Sequence, residues 1–154
     1  MAYKYHTLFF FCIVILSQIS IFTLMIHVAC ALIEKDQQIL ICQRSADMKL
    51  PLKWEFPGGK LEDGETLEEC LRREVKEEIN LNVEIQQKLT KVEYHYPDFS
   101  LTLYPYICTI KNGKLKANEH EQVLWVDRTE LFRFDWANAD LPIIEEYIRT
   151  RREE

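Results

Sequence analysis

Residues 59–81 read GKLEDGETLEECLRREVKEEINL, and the reading of this stretch decides the rest of the chain. Thr66 with Glu69 three residues later has the spacing of a capping box, so a helix is expected to begin after Thr66. Leu67, Leu71 and Val75 then recur at i, i+4 and i+8, the period that buries one helix face, and Cys70 falls among these core positions. Glu74, Glu77 and Glu78 stand at i, i+3 and i+4, which sends three carboxylates off the opposite face toward a common point. Such crowding is unfavourable without a positive charge among them. Hard divalent cations take oxygen ligands and are held by a few carboxylates together with substrate phosphates. A metal-dependent phosphate site is therefore expected. A solvated acidic face explains most Glu-rich helices, but it gives no reason for the Pro57-Gly58-Gly59 turn or for the places of Glu65 and Arg73.

Working outward, Trp54-Glu55-Phe56 reads as a short strand running into Pro57-Gly58-Gly59, where glycines let backbone approach a phosphate or metal. Asn80 falls at the expected helix C-cap, where Asn tolerates the left-handed conformation. Upstream, His27–Glu34 and Gln38–Gln43 are apolar runs separated by Lys35-Asp36-Gln37, a hairpin pattern that ends at Arg44. Ser45–Lys53 is polar with Pro51, a loop. Downstream, Val83–Tyr96, Ser100–Ile110 and Val123–Asp127 are rich in β-branched and aromatic residues, with Pro97-Asp98 and Asn112-Gly113 as turns between them. Leu141, Ile144 and Ile148 mark a C-terminal helix. The expected fold is α/β, a mixed β-sheet sandwiched between helices.

At 154 residues one domain is expected, and the net charge of −6 argues against a protein that grips nucleic-acid polymer, which needs a basic footprint. Five cysteines at irregular spacing, without a CxxC pair, read as reduced thiols and place the chain in the cytoplasm. The N-terminus fits less well. Leu8 to Met25 (LFFFCIVILSQISIFTLM) is apolar over about the minimum length of a membrane span, with Lys4 as a weak positive flank. Ala29-Cys30-Ala31 has the form of a signal-peptidase site, yet cleavage there would destroy the opening strand. Three readings stand, in order of preference: Met25 is the true start, residues 8–25 anchor the protein in the inner membrane, or they form an extra helix. The chain is divided accordingly into an apolar extension, residues 1–24, and a domain over residues 25–154.

The spacing Gly59, Glu65, Arg73-Glu74-Val75, Glu77-Glu78, Asn80-Leu81 resembles the signature box of the Nudix hydrolases, with Asn80 where a Gly is usual. Beyond the box, LICQR (Leu40–Arg44), KWEFPGGK (Lys53–Lys60), VEYHYPD (Val92–Asp98), EHEQVLW (Glu119–Trp125) and ADLP (Ala139–Pro142) are similar, in order, to the MutT branch of that family, the 8-oxo-dGTP diphosphatase and CTP pyrophosphohydrolase group.

The resemblance implies the Nudix fold and a Mg²⁺-dependent enzyme, with Mn²⁺ as an alternative metal; a monomer is expected. The ligands it implies are Gly58 (or Gly59) through its carbonyl, Glu74, Glu77, Glu78 and a distal Glu119. It implies hydrolysis of a nucleoside triphosphate to monophosphate and pyrophosphate by water attack on the β-phosphorus, with Glu74 the first choice of base and Glu119 the second. Glu65 and Arg73, with Gly59, are expected to fix the loop against the helix. Arg44, Glu55, Phe56, Pro57 and Gly58 are expected to line the nucleotide site, and Asp140 falls where the branch places a base-reading Asn, with Asn138 as a substitute. Trp136 is expected either to stack on a base or to close the core; His27, Tyr94 and His95 are read as packing or surface residues. The implied role is removal of 8-oxo-dGTP from the nucleotide pool, protecting DNA. The alternatives are a hydrolase of CTP, modified pyrimidine triphosphates or another nucleoside diphosphate derivative, and, in another class, a non-catalytic nucleotide-binding module.

Overall fold

Alternation along the strands sets the architecture. The computed structural model describes residues 25–152. β1 (Met25–Lys35) and β2 (Gln38–Gln43) form the expected hairpin, turned by Asp36 and Gln37 at φ 51° and 65°. Two successive left-handed residues match the twist of the strands they join. The chain continues through β3 (Trp54–Glu55), β4 (Gly58–Lys60), α1 (Leu67–Ile79), β5 (Leu81–Lys88), β6 (Val92–His95), β7 (Ser100–Gly113), β8 (Gln122–Asp127) and α2 (Leu141–Arg152). The sheet order is β3-β2-β1-β7-β5, with β4 on β1, β6 on β7 and β8 on β2. β1 and β7 run parallel, from Met25 opposite Ser100 to Glu34 opposite Thr109, and the other pairs are antiparallel, so the sheet is mixed.

Side chains on successive strand residues point to opposite faces. On β1, Ala29, Ala31 and Ile33 join one core while Cys30 and Leu32 join the other. On β2, Leu40 and Cys42 are parted from Ile39 and Ile41 in the same way. α1 covers the first face with Cys70, Leu71, Val75 and Ile79, and α2 covers the second with Ile143, Ile144 and Tyr147. The expected layering of helix, sheet and helix follows directly.

Three local expectations need correction. The run Val83–Tyr96 is two strands, because the Leu89 N–H turns to the Pro105 carbonyl (2.9 Å) and the Thr90 N–H to the Glu146 carboxylate (3.1 Å) on α2. Pro105, with no N–H to offer a ladder, lies opposite Cys30 of β1 on one side and on the other falls between the β5 and β6 pairings. Asn112-Gly113 is strand rather than turn: the pair lies opposite Asn82 and Leu81, and a Cβ on Gly113 would meet the Asn80 carbonyl oxygen at 2.6 Å. On α2, Leu141 is exposed and Ile143 and Tyr147 are buried instead. The Tyr147 hydroxyl donates to Glu34 Oε1 (2.7 Å) and Arg151 binds the same carboxylate, which fixes the rotation of the helix. Among the described residues no helix is long and apolar enough to cross a membrane. The expected N-terminal extension and its anchor reading lie outside the described residues, Met25 apart.

Candidate active site

The Thr66 hydroxyl accepts the Glu69 N–H (3.2 Å) while the Glu69 carboxylate accepts the Thr66 N–H (2.8 Å), so the capping box forms and fixes where α1 begins. Asn80 closes the helix in the left-handed conformation at φ 57° and ψ 31°. Between these ends Arg73 organises the carboxylates. Its guanidinium donates to both oxygens of Glu65 (2.6 and 2.9 Å), to the Lys60 carbonyl (3.1 Å), to Glu74 (2.8 Å) and to Glu77 (3.3 Å). Glu65 and Arg73 thus bind the loop before α1 to the helix. The bidentate Arg73 contact holds the Glu65 carboxyl down at about 2.

The three box glutamates do not meet at one point. Glu78 turns inward, buried, and accepts the Gly58 N–H (2.9 Å), whereas the side chain of Glu77 is 54% exposed and faces Arg73. Among the described residues no three His, Cys, Asp or Glu side chains close on a common centre. The reason lies in the helix: Glu77 and Glu78 are successive residues, about 100° apart around the axis. Glu74 lies between them against Gly59, where a Cβ would come within 2.3 Å of its carboxyl carbon. Gly59 is therefore needed for the Glu74 carboxylate to stand where it does. Gly58 is needed for the strand: its φ is 149° and a Cβ would meet the Ala29 carbonyl oxygen at 2.1 Å.

Burial pushes the Glu78 carboxyl up to about 9; the Gly58 N–H opposes this in part, while the nearby charges of Glu55, Glu74 and Glu119 act in the same direction as burial. Glu74 is also raised, first by burial, with Arg73 opposing. The donor set suits a hard divalent cation: oxygen atoms alone, with negative charge around Glu78 in excess of its partners. Because the carboxylates do not close by themselves, substrate phosphates would have to complete the coordination.

A cavity of about 730 Å³ adjoins these groups, lined by Gly58, Gly59, Glu74 and Glu78 and also by Arg44, Glu55, Met48, Lys49, Tyr96, Phe99, Leu101, Leu103 and Asp140. That size and mixed lining suit a small organic ligand. Arg44 pairs with Glu55 and its Nε donates to the Lys49 carbonyl (2.6 Å), which ties the Ser45–Lys53 loop to the cavity. Asp140 is buried, and burial, with Glu55 adding, holds its carboxyl well above the usual range. Its Oδ1 accepts the Phe56 N–H (3.3 Å).

Other expected residues take different places. Phe56 and Pro57 are buried; the Phe56 ring packs on Trp136 (4.9 Å), and the Pro57 carbonyl accepts the Ala31 N–H (2.8 Å). They hold the site through backbone and core, not by facing the cavity. Trp136 closes the core: it is buried and its Nε1 donates to the Leu131 carbonyl (2.6 Å). Asn138 is exposed and outside the cavity lining, because the 3-10 turn Asn138–Asp140 sends Asp140 inward and Asn138 outward. His27 pairs with the Tyr104 hydroxyl (3.0 Å) and His95 with Ser100 (2.7 Å), away from the cavity lining.

Several participants were not assigned from sequence. Tyr96 stacks on Phe99 (centroids 4.7 Å) and its hydroxyl accepts the Ala139 N–H (3.0 Å), fixing the turn that carries Asp140. The signal was present in the VEYHYPD run, but its partner lies 43 residues away. Asn118 caps the end of α1, giving its N–H to the Glu78 carbonyl (2.9 Å) and its amide to the Glu77 carbonyl (2.7 Å). This anchors the loop bearing Glu119, which is exposed and whose charge acts on Glu74 and Glu78.

Comparison with known proteins agrees with this geometry. The NUDIX domain model matches residues 23–147. The chain is 31% identical to the CTP pyrophosphohydrolase of Escherichia coli K12 over 82% of this chain and 94% of that one. It is 33% identical to the 8-oxo-dGTP diphosphatase of the same organism over 71% of this chain and 85% of that one. The solution structure of the E. coli ORF135 protein superposes with a TM-score of 0.72 at 30% identity, covering 82% of this chain and 91% of that one. Its mixed sheet between two helices, its Gly58-Gly59 turn against α1 and this match over most of its length make the chain a member of the Nudix family of hydrolases.

Proposed function

We propose that this protein hydrolyses 8-oxo-dGTP to 8-oxo-dGMP and pyrophosphate with Mg²⁺ bound at Glu74, Glu77, Glu78, Glu119 and the Gly58 carbonyl, Mn²⁺ being able to replace it. Hydrolases of this family use a divalent metal. Held by these carboxylates, such a cation would supply charge neutralisation for the substrate phosphates. Arg73 restrains Glu74 and Glu77, and Gly59 leaves room for the Glu74 carboxylate at the phosphate side of the cavity. Glu74 is the group best suited to take the proton of the attacking water: it lines the cavity, and burial raises its carboxyl above the ordinary value. Glu119 is second.

The observation that carries the base preference is Asp140, buried beside the cavity with Oδ1 on the Phe56 N–H. Burial favours its neutral form. A neutral carboxyl offers one donor and one acceptor side by side. Guanine presents two acceptors on its N7/O6 edge, whereas oxidation at C8 turns N7 into a donor, so on that edge the oxidised base matches Asp140 and guanine does not. Cytosine, with an amine donor beside its ring-nitrogen acceptor, also matches, and the likeness to a CTP pyrophosphohydrolase favours it as the second reading. The test is pyrophosphate release from 8-oxo-dGTP, dGTP, CTP and 5-methyl-dCTP. The highest kcat/KM is expected for 8-oxo-dGTP, about 100-fold or more above dGTP. A higher value for either cytosine nucleotide would move the enzyme to the pyrimidine reading.

A further inference from the structure

His120 is the buried side chain that the site described so far does not use. Its ring is fully enclosed, and its Nε2 lies 3.0 Å from Glu55 Oε1. A carboxylate only accepts, so Nε2 carries the proton. Nδ1 is the one buried side-chain nitrogen or oxygen without a hydrogen-bond partner among the described residues. Leaving a polar atom so placed costs stability, and an apolar residue of similar size would fill the space without that cost. What the histidine adds is the bond to Glu55.

That bond joins two parts of the site. Glu55 is paired with Arg44 on the nucleotide side. The loop that carries His120 is fastened to the end of α1 by Asn118, through the carbonyls of Glu77 and Glu78, and to β2 by the Glu121 N–H on the Gln43 carbonyl (2.9 Å). Glu119 therefore sits between two anchors, one on the acidic helix and one on the Arg44–Glu55 pair. We infer that His120 is a positioning residue which, by binding Glu55, sets the place of Glu119 and couples the nucleotide side of the cavity to the metal side. The inference rests on the reading of Glu119 as the distal metal ligand. Partners of this kind, one bond removed from a metal ligand, change metal affinity or turnover by about 10–100-fold when lost.

The experiment compares the full chain with His120→Leu, His120→Asn and His120→Gln, alone and combined with Glu119→Gln. Mn²⁺ binding to the free protein is measured by calorimetry, and kcat and KM with 8-oxo-dGTP and Mg²⁺. Leu removes the donor and Asn is too short to reach Glu55, whereas the Gln amide reaches the place of Nε2. Leu and Asn are expected to lower Mn²⁺ affinity and kcat by about tenfold each, with KM changed less, and Gln to restore both to within about threefold. In the Glu119→Gln background His120→Leu should add less than about twofold, since its effect runs through a group already removed. Folded Leu or Asn variants with wild-type Mn²⁺ affinity and kcat overturn the inference, as does full additivity with Glu119→Gln. Wild-type behaviour of Glu119→Gln itself would overturn the reading of Glu119 and the coupling with it.

Discussion

The two sides of the cavity are held in different ways. On the α1 side, proposed above to face the phosphates, Glu65, Arg73, Glu74 and Glu77 restrain one another by side-chain bonds within a single turn-and-helix unit. On the side proposed to face the base, Arg44, Glu55, Tyr96 and Asp140 come from separate segments, and the bond from Phe56 to Asp140 spans 84 residues. Arg73, Glu74 and Glu77 stand on a helix whose fully buried positions are Cys70, Leu71, Val75 and Ile79, with Glu65 in the loop before it, so these charges can be changed without touching the core. The second is wired into the core through Phe56 and the Ala139 N–H, so selectivity there depends on the packing behind it.

The largest effect should come from removing charge on the phosphate side alone. Glu78→Gln keeps the shape that accepts the Gly58 N–H, and kcat for pyrophosphate release is expected to fall about 10²–10³-fold with the melting temperature held or raised. Two neighbouring glycines sharpen the contrast between site and scaffold. Gly58→Ala drives a Cβ into the β1 backbone and is expected to cost about 2–3 kcal/mol of stability by denaturant titration. Gly59→Ala meets only the flexible end of Glu74, so kcat should fall about tenfold while stability changes little.

On the base side the expected losses are smaller and fall on selection. Asp140→Ala should lower kcat/KM for 8-oxo-dGTP about 10–100-fold, whereas Asp140→Asn, whose amide also offers a donor beside an acceptor, should stay within a few-fold. Steady-state kinetics on the substrate panel check both. The smallest effect is a pH dependence. Glu65 is held at about 2 against an ordinary 4.5, so its bond to Arg73 contributes stability above pH 4.5 that is lost as pH falls through about 2. The stability difference between wild type and Glu65→Gln should shrink over that window in thermal melts; a constant difference would mean the carboxylate's charge is not what binds the loop.

The same contrast explains what the sequence could tell. Thr66 and Glu69, the Leu71 and Val75 stripe, Asn80 and the Glu65–Arg73 pair interact within one helical unit, and such spacings are readable directly. Asn138 was misplaced because the 3-10 turn that points it outward depends on Tyr96, far away in the chain. His120 passed without a role because its partner Glu55 lies 65 residues upstream and nothing local marks the contact. Glu74, Glu77 and Glu78 were readable as one acidic stretch of helix, but where each carboxylate ends depends on contacts outside that spacing, Gly58 for Glu78 and Arg73 for Glu74 and Glu77.

The most direct test of the account is hydrolysis of 8-oxo-dGTP with Mg²⁺ in oxygen-18 water, with both products read by mass spectrometry. The account predicts 8-oxo-dGMP and pyrophosphate in equal amounts, with the label in pyrophosphate because water attacks the β-phosphorus, and turnover reduced about 10²–10³-fold in Glu78→Gln. Release of inorganic phosphate, or equal turnover by wild type and Glu78→Gln, would contradict it.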